Sequence, residues 1–130
     1  MAESSLDVAQ AFVQAVNRGD LPAMRALMSD DHTFTDSLGR SFSGAEQMTT
    51  GWRYFFEAFP EYWIRVDTAF ADGTRVALFG EAGGKWRVDG KVLDQKWSVR
   101  AAWLAEIDNS KVKTWTVYCD TGWAKPPSQN

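Results

Sequence analysis

The order of patterns along the chain predicts an α+β domain, with helices packed on one face of a strongly bent, mostly antiparallel β-sheet. Three observations carry this. Before Pro60 the apolar residues recur at helical spacing in three stretches, whereas from Tyr62 onward the period falls to two, with turn residues between the runs. The third is length. At 130 residues the chain is one domain, able to bury about two-thirds of its unfolded surface around a single core. We expect that domain over residues 1–123, with a disordered tail over 124–130, where Lys, two Pro, Ser, Gln and Asn follow Ala124.

Ser4 and Ser5 can cap a first helix whose apolar positions are Leu6, Ala9, Phe12, Val13 and Val16, and Gly19 suits its C′ position. Asp20 then caps a short second helix, with Pro22 in its first turn and Leu21, Met24, Leu27 and Met28 inward. The two form a hairpin. His32 to Asp36 reads as a short strand with His32, Phe34 and Asp36 on one face, ended by a turn at Gly39. Ser43-Gly-Ala-Glu46 matches a capping box, and Met48, Trp52, Phe55 and Phe59 follow at i, i+4, i+7 and i+11 in a third helix. Pro60 stops it.

A hairpin follows, Tyr62–Ala71 and Thr74–Ala82, turning at Asp72-Gly73. Between Gly83-Gly84 and Asp89-Gly90, the segment Lys85–Val88 reads either as a short edge strand or as a flap. Lys91 to Ile107 forms a long strand or a bent pair, with Trp97, Val99, Ala101, Trp103, Ala105 and Ile107 on an apolar face and Arg100 on the wet one. Asp108-Asn109-Ser110 turns into a last strand, Lys111–Asp120. In that strand Val112, Thr114, Thr116, Tyr118 and Asp120 share one face, and Lys113, Trp115, Val117 and Cys119 the other.

Composition narrows the partners. A net charge of −3 with no basic stripe argues against nucleic acid. No apolar run approaches the roughly 20 residues of a membrane helix, and the first residues lack a signal-peptide pattern, so the membrane is an unexpected partner and the cytoplasm the expected location. The lone Cys119 cannot form an intramolecular disulfide, which fits a reducing compartment. No metal-ligand spacing and no phosphate loop is present, so neither metal nor cofactor is expected. Seven Trp and eight Phe imply an aromatic core or an aromatic-lined cavity for an apolar small molecule.

Within such an interior the polar candidates are His32, Asp36, Tyr54, Glu81, Arg100, Tyr118 and Asp120, and the candidate apolar contacts are Phe34, Trp52 and Trp97. Desolvation raises a carboxylate's pKa toward neutrality, where it can strip a proton α to a carbonyl. Asp120 as base, with His32 or Asp36 as partner, is the expected pair. Each residue also has a structural reading. Asp36 can cap the turn toward Gly39, His32 can face a helix end, and Asp120 can be a solvated strand terminus. Arg100 and Glu81 can be wet-face ion-pair residues, and Trp52 with Phe55 and Phe59 can be core.

Three pieces of sequence carry a family resemblance: the helix junction Asn17–Asp20, the segment Thr35–Gly39 followed by Ser43-Gly44, and the ending Lys111–Asp120. With them the chain, from about Leu6 to Asp120, resembles the nuclear transport factor 2-like cone fold shared by ketosteroid isomerases, limonene epoxide hydrolases and SnoaL-like polyketide cyclases. The resemblance implies that Asp36 stands where the isomerases place their general base. It also implies that Asp120 stands where the cyclases place an acid/base Asp. The isomerases' oxyanion donors fall at Phe12 and near Ala101 or Ala102, which donate nothing. The hydrolases' Arg-x-Asp pair has only Glu81 on the matching strand, with Arg100 on another. The resemblance further implies a homodimer paired through the outer sheet face. Two functions are therefore expected: a small cofactor-independent acid-base enzyme of the cyclase/isomerase type acting on an apolar carbonyl compound, or a non-catalytic binding or dimerisation module.

Overall fold

In the computed structural model, which describes residues 4–128, three helices pack on the concave face of one six-stranded sheet. The helices are α1 (Ser5–Arg18), α2 (Leu21–Leu27) and α3 (Ala45–Ala58). The strands are β1 (Met28–Thr35), β2 (Ser41–Ser43), β3 (Trp63–Asp72), β4 (Arg75–Val88), β5 (Lys91–Asp108) and β6 (Lys111–Cys119). Their order across the sheet is β2-β1-β6-β5-β4-β3, and only the β1–β6 pairing is parallel. This is the expected α+β cone.

Local chemistry sets the helix ends. Ser4 Oγ accepts from the Asp7 N–H at 3.0 Å, and Gly19 closes α1 in the left-handed region at φ 61°. Asp20 Oδ1 accepts from the Ala23 N–H at 3.1 Å and opens α2. The capping box expected at Ser43 is not formed. Ser43 belongs to β2, where its hydroxyl meets Thr33 Oγ1 across the strand pair at 2.9 Å. Gly44, at φ 104°, makes the strand-to-helix turn instead, and Glu46 pairs with Arg25 at 2.6 Å.

β1 and β4 are longer than their alternation suggested, because pairing with a neighbour extends a strand past its own periodic run. β1 begins at Met28, directly after α2, so His32 sits within a strand and not at a helix end. Lys85–Val88 is neither flap nor separate strand: it continues β4 against β5, past a register shift between Lys85 and Arg87. In β6 the pairing skips from Glu106↔Thr114 to Ile107↔Val112, leaving Lys113 bulged. That bulge corrects the two-face reading. Val112 and Trp115 are both fully buried, although their spacing puts them on opposite faces of a regular strand.

The core lies between α1, α2 and the sheet. Phe12, Met24, Met28, Leu78, Trp103 and Trp115 are all at most 2% exposed. Burying each apolar side chain contributes on the order of 2–3 kcal/mol before chain entropy is set against it. Beyond β6 a 3₁₀ turn, Gly122–Ala124, folds back over the sheet. Of the tail expected from Ala124, residues 124–128 are described and 129–130 lie outside the described residues.

Candidate functional site

The core fills only one end of the cone. Between α3, the β1–β2 turn and the strands β4, β5 and β6 lies a cavity of about 640 Å³. Phe34, Trp52, Phe55, Trp97, Val99 and Val117 form much of its wall, and Trp123 of the 3₁₀ turn closes one side. Polar groups border it at Asp36, Ser37, Arg40, Gln47, Tyr62, Cys119 and Thr121. No group of three His, Cys, Asp or Glu side chains arranged to hold a metal occurs among the described residues.

Asp36 follows β1 and is tied into the turn it begins. Its Oδ1 accepts from the N–H groups of Leu38 (3.0 Å) and Arg40 (2.9 Å), and its Oδ2 accepts from Arg40 Nε at 2.8 Å. Burial pushes its carboxyl up, but those three hydrogen bonds and the guanidinium charge together hold it below the usual carboxylate range. Asp36 is therefore an ionised, already partnered group at the cavity edge.

His32 is fully buried and does not line the cavity. Its Nδ1 donates to the Val112 carbonyl at 2.7 Å, which fixes the tautomer, since a carbonyl oxygen only accepts. Nε2 is sealed without a partner among the described residues, and burial holds the ring's pKa below its ordinary value despite the opposing pull of Val112 and Asp31.

Several expected placements are corrected. Asp120 is exposed, lies outside the cavity wall, and its Oδ1 accepts from the Gly122 N–H at 2.8 Å in a turn. The reason is alternation: Trp115, Val117 and Cys119 take the concave face, so Tyr118 and Asp120 point away from it. Tyr118 lines a shallow depression of the outer face with Arg100, Asp67 and Phe79. Glu81 stands opposite Arg100 on that face and pairs with Arg65 at 3.5 Å. Tyr54 is 60% exposed, with the Arg53 guanidinium 5.4 Å from its ring centre. Of the expected site residues, the cavity brings together Phe34, Asp36, Trp52 and Trp97.

Sequence reasoning missed Tyr62, Arg40 and Trp123. Arg40 carried a signal, a cation four residues after Asp36 across a Gly turn. Tyr62 was expected to begin the first long strand, but β3 starts one residue later, at Trp63, and Tyr62 sits in the corner before it. Its ring sits edge-on to Phe55 at 4.8 Å, near Trp97 at 5.9 Å and Trp52 at 6.3 Å. Burial, with a smaller contribution from nearby Cys119, pushes the phenol's pKa well up.

Comparisons with known proteins agree with this geometry. No curated protein sequence matches the chain significantly. Among solved structures, an NTF2-like protein of unknown function from Cytophaga hutchinsonii matches at TM-score 0.70 and 19% identity, over 92% of this chain and 93% of that one. A protein from Shewanella denitrificans, assigned only provisionally as a SnoaL-like polyketide cyclase, matches at TM-score 0.81 and 13% identity, over 92% of each chain. A hypothetical protein with a ketosteroid isomerase-like fold from Catenulispora acidiphila, solved with trimethylamine, matches at 0.80 and 17%, over 91% and 88%. At these identities the likeness concerns fold. The model of the SnoaL-like domain, however, matches residues 9–115, from the first helix to the middle of β6, and the chain belongs to that family.

Proposed function

We propose that the chain holds an apolar small molecule inside the cone and does so as a binding protein rather than as an acid-base catalyst. One observation carries this reading. The cavity is within the size range of small-molecule sites and largely apolar, yet the sole carboxylate on its wall among the described residues is ion-paired, amide-bonded and low in pKa. A general base works best with a pKa near the working pH, and Asp36 is shifted the other way. The neutral dye 1-aminoanthracene tests it. Saturable one-to-one binding to wild type that is lost in Ala101→Phe, which fills the cavity, supports the proposal; absence of saturable binding to wild type overturns it.

A second reading, acid-base chemistry of the cyclase/isomerase type, is favoured by Asp36 being ionised on the wall and by matches provisionally assigned as polyketide cyclases. It requires that the protein accelerate deuterium exchange at the α-carbon of a bound apolar ketone, and that Asp36→Asn abolish the acceleration while binding persists. We also assign the outer sheet face to a second copy of the chain. Phe70, Phe79 and Tyr118 are 64%, 44% and 55% exposed there, among the mixed charges of Arg65, Asp67, Glu81 and Arg100.

A further inference from the structure

We propose that Tyr62 donates a hydrogen bond to the ligand, so that the cavity selects an apolar molecule carrying a neutral acceptor oxygen, a ketone or ester carbonyl, over a hydrocarbon of the same shape. This rests on the reading that the cavity holds an apolar molecule, and adds what that molecule must present.

The hydroxyl of Tyr62 has no hydrogen-bond partner among the described residues, although the residue is half-buried in a wall of rings. It differs from the indole N–H groups of Trp52, Trp103 and Trp115, which are sealed from any approach and also unpaired. The Tyr62 hydroxyl is not sealed, and it lies near Cys119, itself on the cavity wall. Tyr62 is itself one of the residues that line the cavity, with Phe55, Trp97 and Trp52 around its ring. Water reaches that donor in an open cavity, but an apolar ligand that fills the cavity expels it; the donor then left without an acceptor is costly, and a ligand oxygen placed there removes that cost.

The backbone holds the phenol in place. Gly84 has no side chain, and a Cβ there would sit 3.2 Å from Tyr62 Cα and 3.2 Å from the Pro60 carbonyl oxygen. That close approach lets the Lys85 N–H donate to the Pro60 oxygen at 2.9 Å, pinning the segment before Tyr62 to β4. Glu61 completes the corner in the left-handed region at φ 59°. Segment and ring are thus fixed before any ligand arrives, so little ordering is left for binding to supply.

Most competing groups on the wall are weaker selectors; Ser37, a half-buried hydroxyl in the β1–β2 turn, is the remaining neutral donor. Asp36 and Arg40 satisfy each other, Gln47 and Thr121 are exposed to water, and the Cys119 thiol is a poor donor. Because burial keeps the phenol protonated, Tyr62 stays a donor across the working pH range. A carboxylate ligand gains less: an anion must shed its water to enter an apolar wall.

The test uses the intact chain and two probes, 6-propionyl-2-(dimethylamino)naphthalene and its 6-propyl analogue, in which CH2 replaces the carbonyl. Wild type is expected to prefer the ketone over the analogue by about 3- to 10-fold more than Tyr62→Phe does, the net worth of one hydrogen bond. The infrared C=O stretch of the ketone bound to wild type is expected at the lower frequency of a hydrogen-bonded carbonyl, and to rise in Tyr62→Phe. Equal preference in the two proteins, or an unshifted stretch in wild type, overturns the role of Tyr62 while leaving the cavity reading standing. Failure of wild type to bind either probe overturns both. Should Tyr62→Phe not fold, the stretch in wild type decides.

Discussion

The indole rings of Trp97 and Trp123 lie stacked, 4.0 Å between centres and 19° from parallel, which fastens the C-terminal 3₁₀ turn to β5. Phe59 adds an edge contact to Trp123 at 4.8 Å, and the Trp123 carbonyl accepts from Trp86 Nε1 at 2.8 Å. Trp123 therefore does two jobs, closing the cavity wall and holding the chain end. Trp123→Ala keeps the carbonyl contact and removes the rings. We expect a loss of about 1–3 kcal/mol in urea unfolding and weaker binding of 1-aminoanthracene. Unchanged stability and affinity would mean that the stack is incidental to both.

Asp36 and Arg40 give a prediction with a definite sign. The folded carboxyl is depressed, so its contribution is present above the unfolded value near 3.9 and is lost as pH falls through the folded value. Asn keeps an oxygen for the amide N–H groups but loses the ion pair, whose Arg40 side is 67% exposed and screened. Asp36→Asn should therefore cost only about 1 kcal/mol at pH 7, with the difference from wild type shrinking below pH ~4. An Asn variant more stable than wild type at pH 7 would instead mark the carboxylate as strained for function and advance the catalytic reading.

Phe70 and Phe79 meet at 6.2 Å on the outer face, beside a depression containing Tyr118 and Arg100. If this face pairs two chains, light scattering after size exclusion should give a dimer mass for wild type. Phe79→Glu should shift it toward monomer, since it places a buried, unpaired charge in the contact. The cavity lies on the opposite face, so probe binding by the variant should persist. A wild type that is monomeric at high concentration would rule out the pairing.

What could be read in advance divides along the range of the interactions. Ser4, Gly19 and Asp20 were legible because a cap and its helix are within a few residues of each other. The inward positions of Trp97, Trp103 and Ile107 were legible from alternation over a long run. The bulge at Lys113 was not, because it is set by the register against β5, and nothing local marks it. The choice between the two faces of β6 decided the site. Trp115, Val117 and Cys119 are the more apolar set, and their concave placement sends Tyr118 and Asp120 outward. Tyr62 was hidden because its placement depends on Gly84 in another strand.

His32 ties β1 to β6 through the Val112 carbonyl, and it is buried as the neutral ring. Its pKa is lowered on folding, chiefly by burial, so between the folded value and the ordinary value near 6.5 the unfolded chain binds a proton that the folded chain refuses. Stability is then unaffected above pH ~6.5 and falls on acidification, by up to about 1.4 kcal/mol per pH unit, until the folded value is reached. It is the sole histidine of the chain, the side-chain type whose ordinary value lies in this range. Urea unfolding at pH 7.5, 6.5 and 5.5 should show this slope in wild type. In His32→Gln the amide can still donate to Val112 but cannot take up a proton, so that variant should be less stable at pH 7.5 yet flat across the window. A wild type equally flat from 7.5 to 5.5 would show that the folded ring accepts its proton freely, and that the sealed Nε2 has an acceptor or a route to water.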